Sequence, residues 1–86
     1  MRTVFKYPLT GETSHVFMPH DAKVLHVAEQ DGVPCVWAEV NPSSTEDHVK
    51  FHTVGTGRPL PEAPAEHVGS LMMHGGATVL HVYKEL

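Results

Sequence analysis

The chain has one cysteine in 86 residues, Cys35, so no intrachain disulfide can staple it and a disulfide-framed secreted scaffold is excluded. Basic residues are also few. Six Lys and Arg against ten Asp and Glu give a formal charge of −4. General nucleic-acid binding, which relies on cations neutralising phosphates, is therefore not expected. Long hydrophobic runs are missing: nothing approaches the roughly 20 apolar residues of a membrane span. Met1–Lys6 has no extended apolar region, so it does not read as a secretory signal. These absences lead to the expectation of a soluble, cytoplasmic protein with no membrane association.

What is present is β-forming sequence cut by turn residues. A hydrophobic content of 41% with 19% charged residues is that of a globular chain, and the length suits one domain, residues 1–86. A chain this short buries only about 60–65% of its unfolded surface. Homo-oligomerisation would be an inexpensive way to bury more, and it is expected.

Lys23–Gln30 and Val33–Val40 flank Asp31-Gly32, a pair suited to the two positive φ angles of a type I′ hairpin turn. A two-residue loop sets Gln30 opposite Val33, Val27 opposite Val36, His26 opposite Trp37 and Leu25 opposite Ala38. Alternation then gives one apolar face of Leu25, Val27, Val36, Ala38 and Val40. The other face carries Val24, His26, Ala28, Cys35 and Trp37, and should be partly covered. Pro34 has no N–H to give outward, so either its strand is an edge there or the outer neighbour stops before it.

A second hairpin is expected around Gly75-Gly76, between Val68–His74 and Ala77–Lys84. Its register sets Met73 opposite Thr78, Leu71 opposite Leu80 and Gly69 opposite Val82. The missing side chain at Gly69 would let a neighbour pack closely. Arg2–Leu9, Ser14–Met18 and His48–Val54 read as further strands, and Asn41–Asp47 as a polar loop. Gly55–Pro64 is a stiff, proline-rich connection that needs an anchor, for which Leu60 is the candidate. A short helical turn is possible over Ala63–Val68. Overall the pattern predicts an all-β fold: a small antiparallel β-sandwich or partly closed barrel of about seven short strands with two tight hairpins.

Gly55-Thr56-Gly57-Arg58 is the leading ligand-binding candidate. Glycines can aim backbone N–H groups at an anion, Thr56 adds a hydroxyl, and Arg58 offers a bidentate fork for phosphate or carboxylate. It is not a Walker loop, and the plain alternative is a turn that simply needs its glycines. Trp37 with His26 beside it is a second ligand-binding candidate, weighed against Trp37 as the main core aromatic. Eight histidines raise the question of a metal, but His48 and His52 on one strand would stand about 13 Å apart, too far for one ion. No metal and no other cofactor is expected. Cys35 near His26 could be a nucleophile, but a buried structural thiol is the simpler reading.

Tyr7-Pro8-Leu9, Gly32-Val33-Pro34-Cys35-Val36-Trp37-Ala38, Gly55-Thr56-Gly57-Arg58-Pro59-Leu60-Pro61 and His67-Val68-Gly69 with Gly75-Gly76 resemble, across nearly the whole chain, a family of small proteins of unknown function from bacteriophages and their hosts. The resemblance implies a phage or prophage accessory protein acting in the host cytoplasm, and it carries no catalytic role. The expected function is binding rather than catalysis: a host-defence antagonist that sequesters a small nucleotide-like anion or blocks a host protein. The alternatives are a small Cys/His hydrolase or a minor virion structural protein.

Overall fold

The computed structural model describes Met1–Leu86. Seven strands follow in order: β1 (Thr3–Pro8), β2 (Thr13–Pro19), β3 (Lys23–Gln30), β4 (Val33–Val40), β5 (Glu46–Gly55), β6 (Ala65–Met73) and β7 (Thr78–Glu85). The only helical element is a 3-10 turn at His74–Gly76. The strands form two antiparallel sheets, β1-β4-β3 and β2-β5-β7-β6, which face each other as a sandwich and do not close into a barrel.

Both hairpins turn as their glycines require. Asp31 and Gly32 have φ of 53° and 81°, the positive values of type I′ geometry. At the second turn His74, Gly75 and Gly76 are all left-handed, at 54°, 67° and 94°, so the ladder ends at Met73 opposite Thr78 and the turn is wider than two residues. Val27 pairs with Val36, His26 with Trp37, Met73 with Thr78, Leu71 with Leu80 and Gly69 with Val82. The strand over Ala65–Met73 replaces the helical turn expected within Ala63–Val68. Pairing of Ala65 with Glu85, Glu66 with Lys84 and His67 with Tyr83 satisfies those backbone groups in the sheet instead.

One registration differs from simple alternation. Val24, not Leu25, pairs with Ala38, because a bulge intervenes between Val24 and His26. The extra residue turns Leu25 outward, 49% exposed, and brings Val24 against the core. A matching bulge sits on β6 between His67 and Gly69.

Pro34 is accommodated by its outer neighbour. β4 is the central strand of its sheet, and β1 pairs only as far as Pro8 opposite Cys35. The Leu9 N–H still donates to the Pro34 carbonyl at 2.8 Å, but Pro34 has no N–H to return. The chain then crosses to the other sheet.

The core lies between the sheets. Val27, Val36, Ala38 and Val40 meet Val16, Met18, Phe51, Leu71 and Val82 across it, and Leu9 closes one end. Phe51, wholly buried, is the core aromatic. Buried Ser14 is satisfied by Thr10: its hydroxyl accepts from the Thr10 N–H at 2.8 Å and donates to the Thr10 carbonyl at 3.1 Å. Between the sheets, the close backbone approach is β3 against β6, where a side chain at Gly69 would meet Val27.

Candidate functional site

β5 runs to Gly55 at the rim of the four-stranded sheet, and the chain turns there. The Arg58 N–H donates to the Gly55 carbonyl at 3.0 Å, and Gly57 takes a φ of 87° that a side chain would strain. The Thr56 N–H donates to Val79 at 3.4 Å, carrying the ladder one residue beyond the strand. One backbone donor of the segment is thus spent on the turn and a second on the ladder. Thr56 Oγ1 lies 2.8 Å from His81 Nε2, and His81 Nδ1 lies 2.8 Å from Ser70 Oγ, itself 3.0 Å from His67 Nε2. This chain of side chains ties the turn to the sheet, and none of its hydrogen bonds involves the Arg58 guanidinium. No carboxylate pairs with that guanidinium.

Arg58 forms one wall of a cavity of about 260 Å³. The same wall continues through Pro59, Leu60 and Pro61. Glu12 and Thr13, and His52–Val54 of β5, also line the cavity. The Thr53 N–H donates to the Glu12 carbonyl at 2.9 Å, which fixes the acidic wall against the strand. The buried Thr53 hydroxyl oxygen has no hydrogen-bond partner. A cation, an acid and a proline-stiffened segment thus border one space. Leu60, the expected anchor of the loop, is 56% exposed and lines this cavity rather than plugging into the core.

Trp37 and His26 lie elsewhere. Their rings are 5.6 Å apart on the outer face of the three-stranded sheet, and Trp37 is half-buried rather than part of the core. The structure therefore groups Gly55, Thr56, Gly57 and Arg58 at one rim, and Trp37 with His26 on the other sheet; the Arg58 cavity includes neither ring. Lys6 and Gln30 hydrogen-bond across β4 on that outer face, which puts their bridge over Cys35. Cys35 is buried, and its thiol donates to the Val33 carbonyl at 3.4 Å.

The outer face of the four-stranded sheet holds a feature that sequence reading missed. The strand order brings five histidines to it: His15, His48, His52, His67 and His81. His15 and His48 stack at 5.0 Å with rings 7° from parallel, and Phe17 lies 5.3 Å from His48. His52 stands between Thr13 and Glu85, at 3.3 and 3.0 Å. The alternation of His48, Lys50 and His52 was the available signal, but the strands flanking β5 are distant in sequence. No three His, Cys, Asp or Glu side chains gather as a metal-ligand set.

Three groups titrate away from their ordinary values. The hydrogen bond from His52 holds the Glu85 carboxyl below the usual range, helped by the positive charges of Lys50, His52 and His15 and opposed by slight burial. The Asp47 hydrogen bond, then the charges of Asp21 and Asp47, raises His20. Burial raises the Tyr7 phenol, with a further contribution from Glu46. None of these lines the Arg58 cavity.

The family model described as Domain of unknown function (DUF7352) matches residues 1–86. No curated protein and no solved structure matches the chain. No helix is long and apolar enough to cross a membrane.

Proposed function

We propose, for a chain that belongs to the DUF7352 family of unknown function, that it acts by binding rather than catalysis and captures a small anionic ligand at Arg58. The observation that carries this reading is the unpaired Arg58 guanidinium in a cavity also lined by Glu12 and Thr13. Arg presents a planar fork matched to phosphate or carboxylate. Glu12 accepts from hydroxyl or amine groups, and the Pro59–Pro61 wall packs on an apolar or ring portion. A cavity of about 260 Å³ suits one phosphorylated unit, such as a mononucleotide-sized ligand, better than a large one.

The resemblance to phage and prophage proteins supports an accessory role in a host cytoplasm, with sequestration of a nucleotide-like signal as the means of antagonising host defence. Trp37 and His26 supply a stacking surface to such a ligand only from a second copy of the chain, since they stand on the other sheet. Calorimetric titration with a panel of mononucleotides and cyclic nucleotides tests the reading. Binding by the native chain, weakened at least tenfold in Arg58→Ala with thermal stability unchanged, is expected. Equal binding by both chains, or no heat with any nucleotide, overturns it.

A further inference from the structure

Four strand edges border the two sheets, and they are not alike. β3 and β6 carry the bulges at Leu25 and Val68 and pack against each other. β2 is free of bulges, but its inward side chains, Ser14, Val16 and Met18, are already buried. β1 is also unbulged. Tyr7 packs on the core, but Val4 is 50% exposed on the outer face, and Phe5, on the core side opposite Ala38, is still 41% exposed. Arg2, Lys6 and the terminal Pro8 are the only guards on this edge, and an inward-directed aromatic left partly uncovered between them leaves it open to pairing.

The backbone of β1 says which groups face outward. Leu9 bonds to Pro34, so Tyr7, Phe5 and Thr3 bond to β4 by alternation. Arg2, Val4 and Lys6 therefore turn their N–H and C=O groups to the free edge. Antiparallel pairing of this edge with its own copy must match those residues with one another, which leaves three central registers. Centring on Val4 sets Arg2 against Lys6, and centring on Lys6 sets Lys6 against Lys6. Like charges opposed across strands repel. Centring on Phe5 sets Phe5 against Phe5, Val4 against Lys6, Thr3 against Tyr7 and Arg2 against Pro8, with no like charges opposed.

We propose that β1 is the seam of a two-fold homodimer, paired antiparallel about Phe5 with β1 of a second copy. The seam joins two three-stranded sheets into one of six strands in the order β3-β4-β1-β1-β4-β3, with roughly six new backbone hydrogen bonds. At its centre the two Phe5 rings meet as a non-hydrogen-bonded pair, where opposed side chains come closest. Val4 pairs beside the aliphatic stem of Lys6 on the outer face. The inference goes beyond the ligand reading and does not depend on Arg58.

Sedimentation equilibrium of the full chain tests it, with twice the chain mass expected as concentration rises. Val4→Pro removes only an N–H that faces the seam, and edge strands tolerate proline. That variant is expected to sediment as a monomer with an unchanged far-ultraviolet dichroism spectrum. The companion test is chemical. In this register oxidised Phe5→Cys should cross-link to a covalent dimer, because opposed non-hydrogen-bonded positions fall within disulfide reach. Lys6→Cys should not, because Lys6 stands opposite Val4. A monomeric native chain, a dimer that survives Val4→Pro, or cross-linking of Lys6→Cys equal to that of Phe5→Cys overturns the proposal. Should Val4→Pro fail to fold, the cysteine pair decides.

Discussion

At Gly69 a hydrogen atom stands where any other residue would drive a methyl group into Val27: a Cβ there would lie 2.6 Å from Val27 Cγ2 and 2.8 Å from its Cβ. The neighbour is β-branched and stiff, so it cannot swing aside cheaply. Gly69→Ala is expected to destabilise the fold by about 1–3 kcal/mol, the usual cost of overpacking a core. Urea denaturation checks it, and adding Val27→Ala should recover part of the loss. That Gly69 faces Val82 and invites a close neighbour was legible from the turn at Gly75-Gly76, since turn chemistry sets the pairing. That the neighbour is Val27 was not, because it depends on how the two sheets meet. Arg58 was likewise legible as a chemical group. The acidic wall at Glu12, brought to it by backbone pairing with Thr53, had no local sign.

Among the strands, the bulge on β3 decides which apolar residues count. Leu25 and Val24 are neighbours in sequence and similar in character, yet only Val24 packs on the core. Leu25→Ser is expected to cost no more than about 0.5 kcal/mol, as for other exposed positions. Val24→Ser should cost more than about 1 kcal/mol, since it removes core contact and brings a hydroxyl to an apolar site. Paired urea titrations measure both, and the reverse ranking would contradict the bulge. Strict alternation predicted that reverse ranking. A bulge leaves no mark in composition, so reading by periodicity passes straight through it. The segment Ala63–Val68 was misread for a related reason. Its Glu and Ala favour helix locally, whereas pairing with β7 satisfies its backbone better, and tertiary pairing prevails over local preference.

For the molecule as a whole, the two perturbed ionic pairs set opposite limits on stability with pH. His20 is raised, so its contribution is complete below its ordinary value of 6.5 and is lost as pH rises through the higher folded value. Glu85 is lowered, so its contribution is complete above its ordinary 4.5 and is lost as pH falls through the lower folded value. Both contributions are complete only between those two ordinary values. Denaturation midpoints measured across pH should fall away on both sides of that interval. His20→Ala should flatten the alkaline limb, and His52→Ala the acid one. The effects are small at exposed His20, where solvent screens the charges. At this scale the sequence indicated an all-β sandwich or partly closed barrel, and left both that choice and the order β2-β5-β7-β6 to the structure. Only that order assembles the histidine-bearing face from strands far apart in the chain.

Pro34 reaches further than its own strand. β4 begins only one residue earlier, at Val33, and the bare ring nitrogen of Pro34 returns no bond, so beyond Pro8 the Leu9–Pro34 bond is the last link of β1 to the sheet before the chain leaves it. The detour that follows delivers Glu12 to Thr53 and so builds one side of the Arg58 cavity. A missing donor at the turn end of the smaller sheet thus stands where the chain departs on the path that lines a recess on the larger one.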